Sequence, residues 1–112
     1  MIYDWIFNPL TVKPIDGSMT NVVITVDWRR TATDGPFLAS AYGRVSLPSP
    51  QPSSFTPFVA LTKEKVQSWV IAKLVEDSGR PEIVAQMDSG LAENINSQKR
   101  PTVVAMAPPW GA

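Results

Sequence analysis

The chain is 112 residues long, enough for one domain, with 44% hydrophobic and 18% charged side chains. Ten basic and ten acidic residues cancel, so there is no basic excess to hold a phosphate backbone and no acidic excess to mimic one. Cysteine and histidine are absent, which removes disulfides, thiolate chemistry, the commonest general base and the commonest metal ligand.

The first half reads as strand. Residues 2–13 are rich in β-formers (Tyr3, Trp5, Ile6, Phe7, Val12) with an interruption at Pro9. Pro14 to Ser18 is expected to turn, because proline presets φ and Gly17 supplies a positive one. Over residues 21–29, Val22, Ile24, Val26 and Trp28 alternate with Val23, Thr25, Asp27 and Arg29, the period of a half-buried strand. A second turn at Thr33-Asp34-Gly35-Pro36 leads into residues 37–47. There Phe37, Ala39, Ala41, Val45 and Leu47 share one face, and Ser40, Tyr42, Arg44 and Ser46 the other. Small residues at 39, 41 and 43 leave room for something bulky laid across the sheet. Three strands joined by short turns make an antiparallel meander.

Residues 48–57 carry prolines at 48, 50, 52 and 57 and cannot sustain a regular ladder. They read as a stiff connector from sheet to helix, with Phe55, Phe58 and Val59 expected to return the chain to the core. Thr62 is a suitable N-cap for a helix over 62–76, with Leu61 and Val66 placed as a hydrophobic staple. Val66, Trp69, Val70 and Leu74 form its apolar stripe. Ser78-Gly79 ends it. A second helix is predicted over 81–99, with Pro81 in its first turn and Ile83, Val84, Met87, Leu91 and Ile95 as its stripe. Glu82, Asp88 and Glu93 read as its wet face. Gly90 weakens this helix unless a close neighbour requires it.

The fold class is therefore α+β: a three-stranded antiparallel sheet over 2–47 with two helices on one face. The expected core is Trp5, Val22, Ile24, Val26, Trp28, Val66, Trp69, Val70, Met87 and Leu91. Residues 101–112 form an extended arm with no charged side chain, running from Val103, Val104 and Met106 to Pro108-Pro109-Trp110. Chain ends are usually polar and frayed. This one is suited either to docking on its own core or to reaching into a neighbouring subunit as a strand or a Trp anchor.

Catalytic constellations are missing from the sequence. There is no nucleophile elbow, no Gly-rich phosphate loop and no calcium loop. The adjacent pair Glu76-Asp77 at a helix end reads as a solvated turn, and Asp16 and Asp34 as turn formers. Asp27-Trp28-Arg29-Arg30 sets two arginines beside an aromatic, which reads as a sheet surface with Arg stacked on Trp. A single-strand nucleic-acid platform needs several exposed aromatics and a basic groove, which the zero net charge opposes. The opening Met1-Ile2-Tyr3-Asp4-Trp5 lacks the charged and apolar regions of a signal peptide, and no apolar run approaches the roughly 20 residues that cross a bilayer. No enzyme activity, cofactor, metal, small-molecule substrate, nucleic acid or membrane is expected. The candidate interaction residues are Pro50, Pro52, Val103, Val104, Met106, Pro108, Pro109 and Trp110.

Several motifs then line up in order: Ile2-Tyr3-Asp4-Trp5, Asn21-Val22-Val23, Asp27-Trp28-Arg29, the helix start Leu61-Thr62-Lys63-Glu64-Lys65-Val66 with Trp69-Val70, the stop at Gln98-Lys99-Arg100-Pro101-Thr102, and Pro108-Pro109-Trp110. This order resembles a family of short proteins of tailed bacteriophages, phages of cyanobacteria included, and the likeness covers nearly the whole chain. Arg100-Pro101 and the apolar Val103 to Met106 depart from the family pattern, in which the second helix is more acidic and the tail shorter. The resemblance implies a multi-copy virion component, made in the host cytoplasm, whose partners are copies of itself and other virion proteins. Head decoration and a neck or tail accessory are both open. The alternative is a phage-encoded module that captures a host factor and is absent from the particle.

Overall fold

The structure is a computed structural model that describes residues 1–100 and 105–110. Three long strands, β1 (Ile2–Asp16), β2 (Met19–Asp34) and β3 (Phe37–Ser46), form one antiparallel sheet in the order β1-β2-β3. Two helices follow, α1 (Lys63–Ser78) and α2 (Ile83–Lys99). This is the α+β architecture that the alternating first half and helical second half dictate.

Both hairpins are tighter than the sequence suggests. Asp16 pairs with Met19 and Asp34 with Phe37, so each loop has two residues. Gly17 (φ +62°) and Gly35 (φ +58°) hold left-handed backbone there, which lets the strands run to the hairpin tips. Pro9 does not break β1. The ladder slips between Phe7 and Leu10 and continues, an irregularity tolerated because β1 is an edge strand.

A second slip changes the core. Thr11 pairs with Thr25 and Val12 with Val23, leaving Ile24 unopposed. The phase of β2 therefore shifts by one: Val23 joins Val26 and Trp28 in the main cluster, and Ile24 is only half-buried. Strict alternation had assigned these two the other way round. That cluster joins Trp5, Val23, Val26, Trp28 and Val45 of the sheet to Val66 and Val70 of α1. Val22 is buried but lies outside it, and Trp69 and Met87 are partly exposed at its margin. A smaller cluster packs Leu91 and Ile95 of α2 on Ala32 and Ala39. The small side chains on β2 and β3 thus admit two bulky objects. One is α2, and the other is the Trp28 ring, which lies so close to Gly43 that a Cβ there would stand 2.7 Å from Cζ2.

Helix ends follow their local chemistry. The Thr62 hydroxyl accepts the Lys65 N–H at 3.2 Å, and Leu61 and Val66 both pack into the main cluster. Gly79 caps α1, its N–H donating to the Val75 carbonyl at 2.9 Å, so the helix runs to Ser78, two residues beyond the expected end at 76. Pro81 is not in the first turn of α2. It sits with Glu82 in a turn closed by Ile83 N–H to the Arg80 carbonyl, and regular helix starts at Ile83. Phe58 and Val59 do not return to the core either. Residues 58–60 form a tight 3-10 turn in which Phe58 accepts from Leu61, so Leu61 enters the cluster while Val59 stays 95% exposed.

Asp88 is not on a wet face. Arg30 Nε and Nη2 donate to its two oxygens at 2.9 and 3.0 Å, and the Arg30 guanidinium lies 4.9 Å over the Trp5 ring and 5.4 Å over Tyr3. This bidentate bridge fixes the start of α2 to the sheet. At its far end, Gln98 Nε2 donates to the Leu38 carbonyl and Lys99 pairs with Asp34. So α2 runs toward the β2–β3 hairpin tip, and the arm leaves there.

Candidate interaction surfaces

Three surfaces carry apolar side chains suited to contacts with other molecules. The first is the sheet face opposite the helices. Pairing across the sheet sets Ile2, Thr33 and Leu38 in one row, Asp4, Thr31 and Ser40 in the next, Ile6, Arg29 and Tyr42 in a third, and Asp27 beside Arg44 in a fourth. Tyr42 is 79% exposed and Ile2 72%, and Ile6 and Leu38 are exposed as well. Arg44 Nε donates to Asp27 Oδ1 at 2.6 Å and Nη2 to Oδ2 at 3.2 Å. That bond, chiefly, holds the Asp27 carboxyl below its ordinary range, and it raises the Arg44 pKa in return. The sequence held the signal for this face: Ile2 and Ile6 alternate with Trp5 and Phe7 in β1, and Tyr42 with Ala41 and Gly43 in β3.

The second surface is a groove of about 440 Å³ between α1 and the connector, at the end of the sheet holding the β1–β2 hairpin. Val22, Leu47, Pro50, Phe55, Leu61 and Trp69 line it. The connector is held in place by Ser49 Oγ donating to Asp16 Oδ2 at 2.8 Å and by a one-turn 3-10 helix at Pro52–Ser54. Lys73 stands at the groove, its pKa raised by the neighbouring charges of Asp77 and Glu76.

The third is the arm. Met106 is 85% exposed and Trp110 82%, with Pro108 and Pro109 exposed beside them. Val103 and Val104 lie outside the described residues. Of the two connector prolines, Pro50 is half-buried in the groove and Pro52 faces solvent. The structure therefore does not bring the sequence-derived candidates together: Pro50 lies at one end of the sheet and the arm departs from the other.

No group of three or more acidic side chains placed to hold a metal occurs among the described residues, and no helix there is long and apolar enough to cross a membrane. What the geometry defines is an α+β domain with a half-covered sheet and an exposed apolar extension. The chain belongs to the family described as a domain of unknown function (DUF7936), which matches residues 1–110 and so takes in the sheet, both helices and the arm as far as Trp110. No curated protein and no solved structure matches it.

Proposed function

We propose that this chain is a non-enzymatic structural protein of a tailed bacteriophage, present in the particle in many copies and acting through contacts with its own copies and with other virion proteins. The carrying observation is the exposed apolar surface. The accessible area is 7685 Å², against about 6,100 Å² for a compact chain of this mass. The radius of gyration is 19.5 Å, where a compact globule of this length has about 13 Å. Trp110 and Tyr42 are among the exposed large side chains, and aromatics of this kind anchor protein interfaces. Zero net charge gives such a surface little electrostatic protection against association. The phage setting rests on the ordered motifs from Ile2-Tyr3-Asp4-Trp5 to Pro108-Pro109-Trp110.

Mass spectrometry of gradient-purified particles and of the infected-cell lysate tests the reading. A virion protein is recovered in the particles at a fixed ratio to the other structural proteins. Recovery only from infected cells, bound to a host protein, supports host-factor capture instead.

A further inference from the structure

The groove beside α1 and the apolar arm are complementary. The groove is lined by Trp69, Phe55 and Pro50 with aliphatic walls from Val22, Leu47 and Leu61. Its volume of about 440 Å³ is within the roughly 300–1,000 Å³ of pockets that seat small ligands. The arm offers Pro108-Pro109-Trp110, with no charged side chain from residue 101 onward. Proline pairs bring a preformed extended backbone to aromatic-lined grooves at little entropic cost, and a following tryptophan supplies the anchor. None of the groove-lining residues belongs to the arm, and Met106, Pro108, Pro109 and Trp110 are all exposed.

Distance argues against the arm reaching the groove of its own chain. Lys99 is pinned at Asp34, whereas the groove lies at Val22 and Val23 on the same strand. Eleven to twelve residues of strand separate those points by about 36–40 Å. The eleven residues from Arg100 to Trp110 span at most about 36–40 Å when fully straight, no more than the separation itself. A tether with no slack is poorly placed to dock in cis. A second copy placed antiparallel presents its groove beside the departing arm.

We propose that Pro108-Pro109-Trp110 of one chain inserts into the groove between α1 and the connector of a second copy. This rests on the reading of the chain as a self-associating subunit and names the contact that reading requires.

Sedimentation velocity of the full chain over a concentration series tests it. Trp110→Ala and Ala72→Glu should each raise the self-association Kd about tenfold or more, as loss of a buried aromatic anchor does. Ala72 is an exposed residue of α1 on the groove wall, and glutamate is a good helix former there, so this variant keeps its fold. A mixture of the two variants should recover part of the association, because one supplies an intact groove and the other an intact arm. Val59→Ala, exposed and outside the groove, should change nothing. A Trp110→Ala effect within twofold overturns the proposal. So does a Trp110→Ala loss that Ala72→Glu does not share, because the arm then binds elsewhere. A monomeric full chain whose Trp110 is instead needed for binding phosphatidylcholine–phosphatidylglycerol vesicles also overturns it. Absence from particles with these shifts intact removes the virion reading alone. Presence in particles with no shift removes the groove assignment alone.

Discussion

Replacing Gly43 with alanine adds one methyl group, and the structure says where it goes. An ideal Cβ at this position stands 2.7 Å from Trp28 Cζ2, 2.9 Å from Cε2 and 3.1 Å from Nε1. The obstacle is not the loose end of a flexible chain. Trp28 is 9% exposed, sits edge-on to Trp5 at 5.9 Å between centroids, and packs in the main cluster with Val26 and Val45. The ring or the strand must therefore move, and overpacking of this kind costs about 1–3 kcal/mol. Against it stands a gain of about 0.5–1 kcal/mol from removing a glycine's freedom in the unfolded chain. The net expectation is a destabilisation of about 1–2 kcal/mol, or a fall in Tm of roughly 4–8 °C for a domain of this size. Gly90→Ala is the matched control, because a Cβ there meets nothing within 4 Å. In mid-helix it should stabilise by about 0.5–1 kcal/mol. Urea titrations followed by far-UV circular dichroism read both variants. Trp28→Phe in the Gly43→Ala background should recover part of the loss relative to Trp28→Phe alone, because the smaller ring leaves space for the methyl. A Gly43→Ala protein as stable as the parent, or more so, would refute the packing of Trp28 against β3.

The remaining expectations follow from other contacts. Trp69→Ala should cost about 2 kcal/mol in urea unfolding, less than the roughly 3–5 kcal/mol of a fully buried tryptophan, because Trp69 is half-exposed at the groove. Asp88→Ala leaves Arg30 without its bidentate partner and should cost about 1–3 kcal/mol, with amide exchange rising first in the opening turns of α2. Thr62→Ala removes the acceptor of the Lys65 N–H and should cost about 1 kcal/mol, while Thr62→Ser should be nearly silent. The carboxyls of Asp4, Asp27 and Asp34 are held below their usual value of 3.8 chiefly by hydrogen bonds from Lys63, Arg44 and Lys99. Their contribution to stability is complete above the unfolded value and is lost as pH falls through the lower folded values. Thermal melts should therefore show these three contributions unchanged from pH 7 to 5 and declining below about pH 4. Asp27→Asn should flatten part of that decline.

Much of the fold was legible because its signals are local. Gly17 and Gly35 mark the hairpin tips, Thr62 and Gly79 bracket α1, and the small-and-large alternation of β3 gives its inner face. Where reading failed, the cause was non-local. The slip at Val12 depends on how β1 meets β2, and no property of Val23 or Ile24 by itself says which one faces the core. Asp88 looks like any acidic residue on a helix surface until Arg30, 58 positions away, is brought beneath it. The tight turn after Pro57 redirects Phe58 and Val59 outward, an outcome decided by backbone geometry more than by hydrophobicity. The candidate surfaces divide the same way. The arm stands out by composition, whereas the groove joins residues as distant as Val22 and Trp69 and exists only in the folded chain.

The claim that the arm serves contacts between chains, and not the core of its own domain, meets its most direct test in one comparison. Light scattering gives the mass of the full chain and of a chain lacking residues 101–112 across the same concentration range, with far-UV circular dichroism recorded on both. The account predicts a concentration-dependent mass above that of a single chain for the full protein, and a single-chain mass with unchanged helix and sheet content for the truncated one. Collapse of the fold on truncation, or identical association with and without the arm, would contradict it.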